Sequence, residues 1–223
     1  MTKTSKDDSA AWQTKAVEYA RIMSHVKWTP VAETMPNRSG GHFEKGTEYT
    51  GVPYSSVKWV GRYIGFEIFL KTFLAAVENP HSVLYTGDLS ATVKNAAAYY
   101  GKVCSSYTSY ALQCGIWFVS RHYGPAYRDG ICLVEPQSAQ AAKVGDIIYT
   151  APPPGGHVEI VTAITRGDAG EVTHIRVEES SPPTTKDTNR SAAEFDAHIA
   201  PDWKVLHRIT DLMPGAAPTG PNR

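Results

Sequence analysis

The chain has 223 residues, 42% of them apolar and 20% charged, values ordinary for a folded domain and unlike those of a disordered chain. Lys plus Arg and Asp plus Glu both total 22, which excludes the basic field that holds nucleic acid, and no apolar run reaches the roughly 18 residues that span a bilayer. The length suits one domain carrying an extended N-terminal region better than two full domains.

Met1 to Ala10 is polar rather than signal-like. Trp12, Ala16, Tyr19, Ala20 and Met23 then share one face at helical spacing, predicting a helix over 10–25 that ends before Thr29-Pro30. A Gly-, Asn- and Thr-rich loop leads to Gly51-Val52-Pro53-Tyr54-Ser55-Ser56, an extended or turn stretch. Here Pro53 fixes the backbone, while Tyr54 and Ser55 offer polar contacts to a ligand. Phe66, Phe69, Leu70, Phe73, Leu74 and Val77 form a wide apolar stripe closed by Asn79-Pro80, which predicts a core helix.

Val103, Tyr107, Tyr110, Ala111 and Cys114 fall on one face with Gly115 at the C-cap position, so Cys104 opens a helix. From Asp146 the pattern changes to short apolar runs, Ile147–Tyr149, Val158–Ile164 and Val172–Val177, read as antiparallel strands. Pro152-Pro153-Pro154-Gly155-Gly156 and Gly167-Asp168-Ala169-Gly170 are the intervening turns. Helices followed by a meander make an α+β arrangement.

Three cysteines allow one pair, Cys114 with Cys132, and one free thiol, Cys104; a fully reduced chain fits the count as well. A cysteine attacks a carbonyl carbon as the thiolate, which needs stabilisation near neutral pH. The first turn of a helix supplies it through unpaired N–H groups, and the peptide N–H of Cys104 also suits an oxyanion hole, an interaction of about 3 kcal/mol in the transition state. His157, at a strand start after two glycines, is the matching base. Glu178 and Glu179 end the following strand on opposite faces, and alternation does not choose which of them orients the imidazole.

Three segments in order, Val103-Cys104-Ser105-Ser106-Tyr107, Val144-Gly145-Asp146-Ile147-Ile148-Tyr149 and Gly156-His157-Val158-Glu159-Ile160-Val161, resemble the NlpC-type family of papain-like cell-wall peptidases. The likeness covers about Tyr99 to Ser181 and implies a papain-like fold, with the cysteine helix packed on a small antiparallel sheet that carries the histidine. It also implies catalysis by Cys104, His157 and a third residue, for which Glu179-Ser180-Ser181 matches the family spacing better than Glu178-Glu179-Ser180. Ser105, beside the nucleophile, joins Tyr54 and Ser55 as an expected substrate contact. Residues 96–213 then form the catalytic core, 1–95 a helical region integrated with it, and 214–223 a tail or linker. The implied function is hydrolysis of an amide bond in a cell-wall peptide, by a secreted or envelope protein whose signal peptide is not in this chain, with no cofactor; a cytoplasmic location is the alternative. The family's Asp before the cysteine is Val103 here, and its Gly two residues after is Ser106, so the usual D-glutamyl bond is not implied.

Two alternatives keep the scaffold: acyl transfer to an amine or alcohol, and an envelope-binding module without catalysis. A zinc site from Cys104, His157 and His174 is disfavoured by the lack of any C-x-x-C pair or H-E-x-x-H helix.

Overall fold

The computed structural model describes residues 6–33, 42–55, 58–59, 62–63, 70–86, 101–114, 119–124, 131–150, 156–199 and 204–209. Among these, five helices and an antiparallel sheet make a mixed α+β fold. In chain order they are α1 (Lys6–His25), β1 (Lys27–Trp28), β2 (Tyr49–Thr50), β3 (Lys58–Trp59), β4 (Arg62–Tyr63), α2 (Leu70–Val77), α3 (Val83–Thr86) and α4 (Cys104–Ala111). Then follow β5 (Ile131–Leu133), β6 (Ile147–Thr150), β7 (His157–Arg166), β8 (Val172–Ser180), β9 (Thr185–Ser191), α5 (Ala192–His198) and β10 (Lys204–Ile209). No helix among the described residues is long and apolar enough to cross a membrane. The expected Gly115 cap, the proline loop over 152–155, the start of the Phe66 stripe and the tail from Pro214 lie outside the described residues.

The chain forms two compact units that interleave in sequence, whereas the sequence reading divides it at residues 95 and 96. One comprises Met1–Ala20, Thr108–Glu179 and Asp187–Arg223; the other Arg21–Tyr107 and Ser180–Lys186.

The first unit is built on a six-stranded sheet in the order β5-β10-β6-β7-β8-β9, whose pairs from β5 to β8 are antiparallel. The Gly145-Asp146 turn sets the start of β6: Gly145 N–H donates to Val161 O at 2.8 Å, Val161 N–H returns to Asp146 O at 2.8 Å, and Lys143 N–H donates to the Asp146 carboxylate at 2.8 Å. β7 runs past its apolar stretch at both ends, through His157 and through Thr165-Arg166, and β8 at its C-terminal end, through Glu178, Glu179 and Ser180. On one face Val161, Ile175 and Val177 pack with Phe195 and Ile199, all at most 3% exposed. Burial on this scale is the dominant stabilising contribution.

Helix α5 covers that face, and its start is fixed by a capping box. Ser191 Oγ accepts from Glu194 N–H at 3.3 Å, while Ser191 N–H donates to Glu194 Oε2 at 2.8 Å. Asp196 Oδ1 accepts from Ala139 N–H at 2.6 Å, and the amide of Gln140 both donates to and accepts from the backbone of Val172 at 3.1 and 2.9 Å.

The second unit has an aromatic core. Trp28 lies 5.0 Å from Phe43, 5.1 Å from Tyr49 and 5.3 Å from Phe73 between ring centroids, and its indole N–H donates to Gly51 O at 2.7 Å. Gly51 has φ +81° and lies against Thr185, whose hydroxyl donates to Met23 O at 2.7 Å and accepts from Val52 N–H at 2.8 Å.

Candidate active site

Side chains alternate across a strand, so His157 and Glu159 share a face of β7, and Glu179 shares a face of β8 with Ile175 and Val177. The ladder pairs Val161 with Val177 and Ile160 with Glu178, and Glu179 follows at the end of β8 on the face of Val177. The imidazole Nε2 of His157 accordingly lies 2.6 Å from Glu179 Oε2. Glu178 has the opposite parity and is fully buried on the other side of the sheet, alongside Ile160. The choice that alternation alone left open is therefore made by the register: Glu179, not Glu178, meets the ring.

Glu159 is a second carboxylate at the same ring edge, its Oε1 being 3.8 Å from Nε2 of His157. Two further groups hold it. Arg190 NH1 donates to Oε2 at 2.9 Å, and His198 Nε2 lies 3.0 and 3.1 Å from the two carboxylate oxygens. Burial opposes the charge on Glu159, but the hydrogen bond to His198 and the positive charges of Arg190, His198 and His157 outweigh it and bring its carboxyl down to about 2. His157 keeps 29% of its side chain exposed, against 4% for Glu159 and 9% for Glu179, so of these three groups the imidazole is the one that solvent reaches most.

His157, Glu159 and Glu179 bring three donor atoms within 4.8 Å of one another. A divalent cation there would stand beside Arg190 and compete with the hydrogen bonds that already use these atoms. The chemistry of the set fits an oriented imidazole better than a metal cage.

Comparisons with protein-family models, with curated proteins and with solved structures each find no match.

Cys104 is the first residue of α4 and is 7% exposed. Ser106, which stands where the resembled family has Gly, fastens this helix start: its hydroxyl accepts from Val103 N–H at 2.9 Å and donates to Val103 O at 3.2 Å. The strand-like approach to Cys104 is also pinned. Lys102 N–H donates to Pro53 O at 2.9 Å, Ser55 N–H to Lys102 O at 3.2 Å, and Ser180 Oγ–H to the same carbonyl at 2.5 Å. Burial drives the Lys102 ammonium down to about 7.

His157 and Glu179 are thus brought together in the first unit, while Cys104, Ser105, Tyr54 and Ser55 belong to the second. Of the expected substrate contacts, Tyr54 is partly exposed, whereas Ser55 and Ser105 are buried. All three cysteines are thiols, so the possible pair is not made: Cys114 is buried, and Cys132 is exposed on β5. The sequence reading missed Glu159, Arg190 and His198. The capping signature Ser191-Ala192-Ala193-Glu194 was the available signal for the helix that carries His198.

Proposed function

We propose that the chain is a papain-like cysteine hydrolase that cleaves an amide bond in a cell-wall peptide through a thioester, with Cys104 as nucleophile, His157 as acid and base, and Glu179 as the orienting carboxylate. The observation that carries this reading is the 2.6 Å contact between His157 Nε2 and Glu179 Oε2 on adjacent strands. A carboxylate only accepts, so Nε2–H donates to Glu179 and Nδ1 is the nitrogen that exchanges the catalytic proton. The proposal adds one requirement: Sγ of Cys104 must come within hydrogen-bonding reach of that Nδ1.

In the first step the Cys104 thiolate adds to the substrate carbonyl carbon, and the oxyanion is stabilised by the peptide N–H at the start of α4. The C–N bond then breaks as the His157 imidazolium gives its Nδ1 proton to the departing amine, leaving a thioester. In the second step His157 takes a proton from water, the hydroxide adds to the thioester, and the thiolate departs with release of the free acid. Acyl transfer to an amine would use the same first step with another acceptor in the second.

The test is mass spectrometry of peptidoglycan fragments after incubation with wild type and Cys104→Ala. New fragments ending in a free acid with wild type alone support the reading, and equal products from both rule out Cys104 as nucleophile. Iodoacetamide separates catalysis from mere binding, with exposed Cys132 as an internal reference. An activated Cys104 reacts faster than Cys132, and His157→Ala slows its labelling without changing that of Cys132. If Cys104 labels no faster than Cys132 and ignores the substitution, the non-catalytic binder is favoured.

A further inference from the structure

Glu159 and Glu179 are both buried and both approach His157 Nε2, at 3.8 and 2.6 Å, an arrangement in which like charges repel. Burying two carboxylates together costs stability unless cations accompany them. Arg190 and His198 pair with Glu159, and His157 pairs with Glu179. A buried ion pair that merely fastened β9 and α5 to the sheet would have no need to approach the imidazole. Yet Glu159 Oε1, the oxygen that His198 meets at 3.0 Å, is also the one 3.8 Å from the His157 ring nitrogen that Glu179 holds.

We propose that Glu159, clamped by Arg190 and His198, is a positioning residue for the imidazole of His157: a second, partly neutralised negative charge at the Nε2 edge that favours the imidazolium and turns Nδ1 away from the carboxylates. Its catalytic meaning rests on the reading of His157 as acid and base. Among the described residues, the charged and titratable groups of this cluster are Glu159 on β7, Glu179 on β8, Arg190 on β9 and His198 on α5, with the uncharged Thr150 opposite His157 on β6. Because Glu159 is held ionised by its partners, it acts as a fixed charge across the neutral pH range. Arg190, which donates to both Glu159 oxygens at 2.9 and 3.4 Å, acts on the ring with opposite sign.

The test is the titration of His157 followed by long-range proton–nitrogen correlation of histidine-labelled protein, which reads the ring without any substrate. Glu159→Gln is expected to lower the midpoint of His157 by about one pH unit and to weaken the preference for the Nε2–H tautomer. Arg190→Gln is expected to raise the midpoint. Two substitutions of one ion pair acting in opposite directions are a signature that a merely structural role does not produce. Should either single variant fail to fold, the double variant Glu159→Gln/Arg190→Gln retains an amide pair in place of the ion pair and is expected to move the midpoint less than a single substitution, since the two removed charges act in opposite directions. An unchanged His157 midpoint in folded variants overturns the proposal. Repeating the titration in Cys104→Ala separates the two readings: a shift that persists there upholds the coupling, whatever the peptidoglycan assay says of Cys104.

Discussion

One face of the β7–β8 ladder contains two unlike halves. Toward the hairpin, Val161, Ile175 and Val177 lie under Phe195 and Ile199 in an aliphatic packing that needs nothing but shape. Toward the strand ends, His157, Glu159 and Glu179 lie among Arg190 and His198, where every buried group depends on a partner of the right charge. The same strands, the same parity and the same covering helix serve both. The difference teaches that the aliphatic half fixes the register, and that the register delivers the carboxylates to the imidazole.

The sharpest way to break this division is to separate activity from stability. On the proposed mechanism, His157→Gln, whose amide can still donate to buried Glu179, lowers hydrolysis by about a thousandfold or more with little change in the thermal midpoint. A large loss of stability instead would mean that the polar half also supports the fold. The converse substitution, Ile175→Ala, is expected to cost about 3 kcal/mol in urea unfolding while leaving turnover per folded molecule unchanged.

A smaller and pH-dependent difference comes from Glu159. Its carboxyl is held at about 2 in the folded chain against an ordinary 4.5. The stability that this charge contributes is complete above pH 4.5 and is lost as pH falls from there toward 2. Wild type should therefore lose urea stability faster than Glu159→Gln across that window, and parallel curves would show that the cluster is not linked to folding. Smallest is Ser191→Ala, which removes the cap of α5 and is expected to cost about 1 kcal/mol in the same assay.

How much of this was legible depended on the kind of signal each element carries. Ile147–Thr150 and the apolar centres of β7 and β8 announce themselves through β-branched residues, and their turns through Gly167 and Gly170. β9, with the sequence Thr-Lys-Asp-Thr-Asn-Arg-Ser, has no apolar residue to show a period of two, and its place comes from pairing alone. Glu159 was hidden for a related reason. A single charge in an alternating strand reads as solvent-facing, and what buries it, Arg190 and His198, lies 31 and 39 residues further along the chain. The three cysteines were equally opaque, since counting residues does not bring Cys114 and Cys132 within bonding distance.

Two glycines with nearly the same backbone angle stand in very different positions. Gly46, at φ +78°, has nothing within 4 Å of the place a Cβ would occupy, so an asparagine, which tolerates that conformation, should pass there unnoticed. Gly51, at φ +81°, has the Thr185 carbonyl oxygen filling that same place. A mutational scan should therefore find residue 51 intolerant of even alanine, making it a silent marker of how tightly Ser180–Lys186 is threaded against the segment that begins at Gly51.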